Sequence, residues 1–261
     1  MHGLRFGTTQ TLIDGLPGAK RVELDTFVLR NSRLIDALEV AAESGTDVRV
    51  RLGDPTAGSQ RKANLKAKDD LERHGVNVAI QPGYGPDAIH DKIARVDDVI
   101  YRDDRNWTTG EWETVLVDDR SRADQDVTTT KAAALVDEVE LIRHGKGHEV
   151  LVSTESIGPG PVVDALIARA KQGDHVRLMY KPGLHDLGRD DALRRLRRAG
   201  VSIRESSANH KICIVGDRAW IGSANATSGA ALMREWGQTV TADLAAQLRR
   251  TLEHVWGMAK T

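Results

Sequence analysis

Two short stretches carry the side chains with most chemistry to offer. In HDKIARVD, His90 and Lys92 are one residue apart, Asp97 follows, and Asn106 comes soon after. Further along, Lys211 precedes Gly222-Ser223-Ala224-Asn225. A histidine, lysines, a hydroxyl and amides form a set suited to a phosphate group. Lysine supplies a point charge, and serine and asparagine donate hydrogen bonds to non-bridging oxygens. Histidine acts as nucleophile or proton donor near neutral pH. On a strand, His90 and Lys92 share one face because side chains alternate. A two-residue turn at Asp97-Asp98 then makes a hairpin whose return brings Asn106 back beside them.

The elements that position these residues occur twice. DALEVAAESGTDVRV, from Asp36, matches DALIARAKQGDHVRL, from Asp164, and LERHGVNV, from Leu71, matches LRRAGVSI, from Leu196. His90–Gly110 aligns without gaps on Asn209–Gly229, setting Lys92 on Lys211 and Asn106 on Asn225. Glu111-Trp112 recurs as Glu235-Trp236. The same order of matches in both halves indicates two copies of one unit. In the first copy, strand Val22–Leu29 precedes a helix capped at Ser32 and closed by Gly45. Strand VRVRL, a helix ending near Gly75, strand VNVAI and the hairpin follow. The second copy repeats this with EVLVS, a helix with Pro161 at its first turn and Gly173 at its end, VRLMY, a helix before Gly200, VSIRE and a hairpin. A helix over Asp124–His144 bridges the copies and another closes the chain near Met258. Strands alternating with helices predict an α/β layered fold in each half.

The 261 residues allow one large domain or two smaller ones. Lys+Arg total 37 against 38 Asp+Glu, which excludes a polybasic tail or an acidic disordered chain. The single cysteine, Cys213, excludes an intramolecular disulfide and a cysteine metal cluster. No apolar run reaches the roughly 18 residues of a membrane span. The N-terminal stretch lacks the layout of a secretory signal, so a cytoplasmic protein is expected.

With these motifs the sequence resembles the phospholipase D superfamily, marked by H-x-K-x4-D followed by G-S-x-N, usually twice. HDKIARVD fits the first part through His90, Lys92 and Asp97. GSAN (Gly222–Asn225) fits the second part in the other copy, and Glu235 resembles the acidic residue beyond it. The resemblance implies two tandem α/β/α repeats with mixed sheets, packed with pseudo-twofold symmetry and with the site at their seam. It assigns residues 1–122 to the first repeat, 123–146 to the connecting helix and 147–261 to the second. One histidine then attacks phosphorus to form a phosphohistidine and the other protonates the leaving oxygen, without metal or cofactor. Carried over residue by residue, if His210 reaches the site, His90 is the nucleophile and His210 the acid, with the reverse as the alternative, and Lys92, Lys211 and Glu235 beside them. Asn106, Ser223 and Asn225 bind phosphate, and Asp97 and Asp217 serve the motif turns.

Two departures stand out. Asp103-Asp104 replace Gly-Ser in the first copy, and outward placement into solvent is expected in preference to pairing with Arg102 or Arg105. In the second copy Asn209, not a histidine, aligns with His90. His210 is next to it and faces the other side of a regular strand, unless a β-bulge before Lys211 turns it inward.

The other histidines (His2, His74, His144, His148, His175, His185 and His254) lack metal-ligand spacing and read as surface or capping residues. Cys213 reads as a buried small hydrophobe, Trp107, Trp112, Trp220 and Trp236 as hairpin core, and Arg194–Gly200 as a solvated helix face. The leading expectation is a metal-independent phosphodiesterase or transferase working through phosphohistidine. A phospholipid substrate is favoured, although the 4% aromatic content offers no membrane-binding surface loop and no stable insertion is expected. A nuclease is the alternative, against which stands the absence of a basic excess. A catalytically inactive phosphate-binding or scaffolding relative is the alternative of another class, motivated by Asn209. With both copies in one chain, a monomer is expected and a dimer is the alternative.

Overall fold

The computed structural model describes residues 3–56, 58–110, 112–119, 128–183 and 188–260. The readings made for His2, Glu111, His185 and the start of the helix from Asp124 lie outside the described residues. The chain forms two compact units, one of Met1–Thr128 with Leu232–Glu235, the other of Thr129–Ala231 with Trp236–Thr261. Each has a mixed sheet with flanking helices, and no described helix is long and apolar enough to cross a membrane.

Unit 1 contains β1 (Leu4–Gly7), α1 (Thr9–Gly15), β2 (Arg21–Thr26), α2 (Ser32–Glu43), β3 (Asp47–Leu52), α3 (Gly58–Arg73), β4 (Asn77–Ile80), β5 (Lys92–Val96), β6 (Val99–Arg102) and β7 (Val115–Asp118). Its seven strands run in the order β1-β7-β6-β5-β2-β3-β4. β2, β3 and β4 are parallel, as helical crossovers require, while the β5–β6 hairpin is antiparallel. Alternation in β3 buries Val48, Val50 and Leu52 in the core and leaves Asp47 and Arg49 exposed. α2 adds Leu34, Leu38 and Ala41, on one helical face. The cap of α2 is Asn31, not Ser32: Asn31 Oδ1 accepts the Leu34 N–H at 3.2 Å. Its Nδ2 also donates to the Trp107 carbonyl at 2.8 Å, so the amide serves as acceptor and donor at once.

Unit 2 contains β8 (Thr129–Thr130), α4 (Lys131–His144), β9 (Glu149–Thr154), α5 (Pro161–Lys171), β10 (His175–Tyr180), α6 (Arg189–Arg198), β11 (Ser202–Glu205), β12 (Ile212–Val215) and β13 (Arg218–Gly222). β14 (Arg234–Glu235), whose segment belongs to unit 1, then precedes β15 (Gly237–Thr241) and α7 (Ala242–Met258). The unit 2 sheet runs β11-β10-β9-β12-β13-β15, the order of β4-β3-β2-β5-β6-β7 in unit 1. The duplication read in the sequence is therefore a duplication of sheet topology. All four residues of β12, including Cys213, are buried, with α4 and α7 both packed on β12, β13 and β15. α4, the expected connector, buries Leu135, Val139 and Ile142 in the core of unit 2, because its apolar residues exceed what a solvent-bridging helix carries.

The hairpin turns differ in how they reach a left-handed backbone. Asp97 has φ 48°, and its carboxylate accepts the Lys20 and Arg21 N–H groups at 3.0 Å each. The corresponding turn residue in unit 2 is Gly216, at φ 58°, followed by Asp217. A Cβ on Gly216 would lie 2.0 Å from the Lys146 carbonyl oxygen, so glycine is required there by space as well as conformation.

Candidate functional site

His90 precedes β5, and Lys92 is the first residue of that strand. The His90 side chain is 12% exposed and packs edge-on against Phe27, with ring centroids 4.9 Å apart. Its Nδ1 lies 2.9 Å from Oε1 of Glu235, a carboxylate that is 2% exposed. A carboxylate on Nδ1 selects the tautomer with the proton there and leaves the Nε2 lone pair as the reactive one. Lys92 is fully buried, and its ammonium donates to the His90 carbonyl. Buried Asn64 fixes the loop under Phe27, accepting the Leu29 N–H at 2.9 Å and donating to the Phe27 and Gly53 carbonyls at 2.8 Å each.

Asp103 and Asp104, expected to face solvent, are 1% and 0% exposed. The cause is the backbone that follows. Asn106 and Trp107 both have left-handed conformations, at φ 63° and 56°. A chain turned this way exposes successive N–H groups, and the Asp103 carboxylate accepts those of Arg105, at 3.0 Å, and Trp107. Asp104 Oδ1 accepts the Thr114 hydroxyl at 2.7 Å, with Arg105 Nε 3.8 Å away. Burial and the neighbouring Asp104 push the Asp103 carboxyl up to about 6. Asp103→Ala leaves two buried donors without an acceptor and should cost about 2 kcal/mol of stability, measured by urea denaturation at pH 7. Asn106 Oδ1 is buried there without a hydrogen bond.

In unit 2, the Lys211 ammonium donates to the Asn209 carbonyl at 3.0 Å, as Lys92 does to that of His90. The Lys211 carbonyl accepts the Gly222 N–H at 3.1 Å, as that of Lys92 accepts the Asp103 N–H at 2.8 Å. These paired bonds register Asn209 with His90, and fully buried His210 with Asp91. Ser223, also fully buried, accepts the Trp236 N–H through its hydroxyl at 2.9 Å. Asn225 Oδ1 is buried without a hydrogen bond, and its carbonyl accepts the Thr227 N–H at 2.7 Å.

Glu155 was not singled out from the sequence. One carboxylate oxygen lies 3.3 Å from the Lys211 ammonium and the other 3.5 Å from that of Lys181. The repeat offset that pairs Asp36 with Asp164 also pairs Phe27 with Glu155, and this was the available signal. The structure thus brings His90, Lys92 and Glu235 together in unit 1, and Asn209, Lys211 and Glu155 together in unit 2.

The duplicated α/β fold thus sets a carboxylate-paired histidine next to a buried lysine. A family model described as "Cardiolipin synthase, PLD-like domain" matches residues 16–125 and 139–256, and the chain belongs to this phospholipase D-like family. Among solved structures, a polyphosphate kinase from Porphyromonas gingivalis shares the fold at TM-score 0.60 and 16% identity over 95% of this chain. This chain spans 45% of that kinase. The phospholipase D family member Nuc from Salmonella typhimurium matches at TM-score 0.47 and 20% identity, over 51% of this chain and 93% of its own. NucT from Helicobacter pylori matches at TM-score 0.44 and 14% identity, over 51% of this chain and 96% of its own. No curated protein matches the sequence.

Proposed function

We propose that this chain cleaves a phosphodiester through a covalent phosphohistidine on His90 and passes the phosphoryl group to water or an alcohol. The observation that carries this reading is the 2.9 Å contact between His90 Nδ1 and buried Glu235. With the proton held on Nδ1, the Nε2 lone pair attacks phosphorus, an N–P bond forms and the bond to the leaving oxygen breaks. Glu235 stabilises the positive charge that the imidazole acquires, and the acceptor then displaces the histidine. Lys92 and Asn106 are assigned to the charged oxygens, and Lys211 and Asn225 are their counterparts in unit 2.

The leaving oxygen's proton is assigned to His210 by analogy with the second motif. Against that role stand its complete burial and its register with Asp91. Substrates whose leaving group needs no proton should therefore react fastest, an aryl phosphodiester ahead of an alkyl one. The family's description supports a phosphatidyl group as the one transferred, and the net charge of −1 counts against a polyanionic nucleic acid.

The test is an acid-labile phosphoryl label. Full-length protein is incubated in EDTA with bis(p-nitrophenyl) phosphate, with phosphatidylglycerol vesicles, and with DNA or RNA. It is then denatured in alkali and assayed for phosphohistidine by 31P NMR. Label from the aryl diester and from the vesicles is expected. Label from nucleic acid alone would replace the lipid by a nucleic-acid substrate, and no label from any of them would overturn the covalent mechanism.

A further inference from the structure

The acidic partner of His90 is delivered by a strap, Leu232–Glu235, that is clamped on three sides. Along its backbone, Arg234 N donates to the Ala88 carbonyl at 2.8 Å, and the Arg234 carbonyl accepts the N–H groups of both His90 and Asp91 at 2.9 Å each. Side chains of consecutive residues in an extended segment point to opposite faces. Glu235 accordingly meets His90, while the Arg234 guanidinium turns the other way and lies 3.1 Å from Asp91 Oδ2 and 3.4 Å from Asp25 Oδ2. Asp91 and Asp25 are 0% and 1% exposed. Asp25 is also gripped in bidentate fashion by Arg51, whose Nε lies 2.5 Å from Oδ1.

Two buried carboxylates this close repel each other and need a cation that reaches both. Burial and the charge of Asp25 push the Asp91 carboxyl up to about 7, and Arg234 acts in the opposite direction. The charged groups facing this cluster are Glu23 and Asp25 on β2, Arg51 on β3, Lys92 on β5, and Arg234 and Glu235 on β14, with His90 alongside. No step of the phosphoryl chemistry proposed above uses Arg234, Asp91 or Asp25.

We infer that Arg234 is a positioning residue: by tying Asp91 and Asp25 together it locks the strap in the register that sets Glu235 on His90 Nδ1. The inference deepens the proposed function, and its activity arm rests on that reading. Its principal readout, the state of the His90 ring, does not.

Electrostatics and positioning predict shifts of opposite sign for that ring. Removing a nearby positive charge by itself raises a histidine's pKa, whereas losing a carboxylate partner lowers it. The experiment records 15N spectra of histidine-labelled protein across pH 5–9, with the His90 signals assigned by their loss in His90→Gln. Arg234→Met should lower the His90 pKa by about one unit, toward the value of Glu235→Gln, and shift the ring from Nδ1–H toward the Nε2–H tautomer. Lysine keeps the charge without bridging two carboxylates, so Arg234→Lys should show about half that shift. It also decides the question should Arg234→Met fail to fold. In turnover of an aryl phosphodiester, Arg234→Met should lower kcat about tenfold with KM within twofold. A His90 pKa that rises or stays put in the folded variants overturns the inference. Wild-type protein without turnover, but with the expected ring shifts, would sink the proposed function and leave Arg234's role standing.

Discussion

Replacing His90 by alanine is expected to lower turnover of an aryl phosphodiester at least about 1,000-fold and to remove the phosphohistidine signal altogether. The size follows from what is lost. Methyl in place of imidazole removes the atom that bonds phosphorus, so no residual covalent route remains. Glu235→Gln should be milder, at about 10- to 100-fold, because the nucleophile survives and only its tautomer and charge support are lost. His74, half-buried just after α3 and 2.7 Å from Glu43, has no part in the chemistry, and His74→Ala should leave turnover unchanged. The readouts are steady-state release of p-nitrophenol and 31P NMR of alkali-denatured protein. A His90→Ala variant that keeps more than about a tenth of the wild-type rate would overturn the covalent assignment.

The second large effect concerns stability and lies in unit 2. Glu138, on α4, is 3% exposed, and burial alone pushes its carboxyl up to about 8. It is near Cys213, whose thiol is pushed up by burial and by Glu138. An unfolded glutamate titrates near 4.3, so between that pH and about 8 the folded protein holds a proton that the unfolded chain has released. Stability contributed by this group is therefore complete below about pH 4 and falls as pH rises to about 8. Glutamine has the shape of the protonated acid without this penalty. Glu138→Gln should gain little near pH 4.5, about 3 kcal/mol at pH 7, and reach a plateau above pH 8. Urea denaturation at pH 5, 7 and 9 measures the gain, and one that is the same at all three would show that Glu138 does not titrate in this range. Asp91 and Asp103, also pushed up, have the same sign over narrower windows.

The duplicated sheet order, both hairpins and the placement of Lys92 and Lys211 each at the start of its own hairpin follow from local patterns: strand alternation, helix-ending glycines and two-residue turns. Those signals are local, and both copies state them independently, so each half corroborates the other. The α2 cap was misread by one residue because Asn31 and Ser32 are both good caps. Only the partner across the fold, the Trp107 carbonyl, chooses between them.

The candidate site was legible in residue types but not in pairings. Glu235 follows GSAN in the second copy, yet it serves His90 of unit 1 across 145 residues. Asp103 and Asp104 look like a solvent-facing pair until the left-handed turn at Asn106 and Trp107 shows why a buried carboxylate is needed. Glu155, just past the end of β9, becomes notable only next to Lys211 and Lys181.

The opening pattern of histidine, lysine, hydroxyl and amide thus pointed to phosphate chemistry, and the matching segments to the repeat that presents it. Which carboxylate orients His90, which ones are buried, and which residue stands in the histidine's place in the second motif were decided by tertiary packing. Hydrogen bonds and burial join residues far apart in the chain, and no local spacing encodes them.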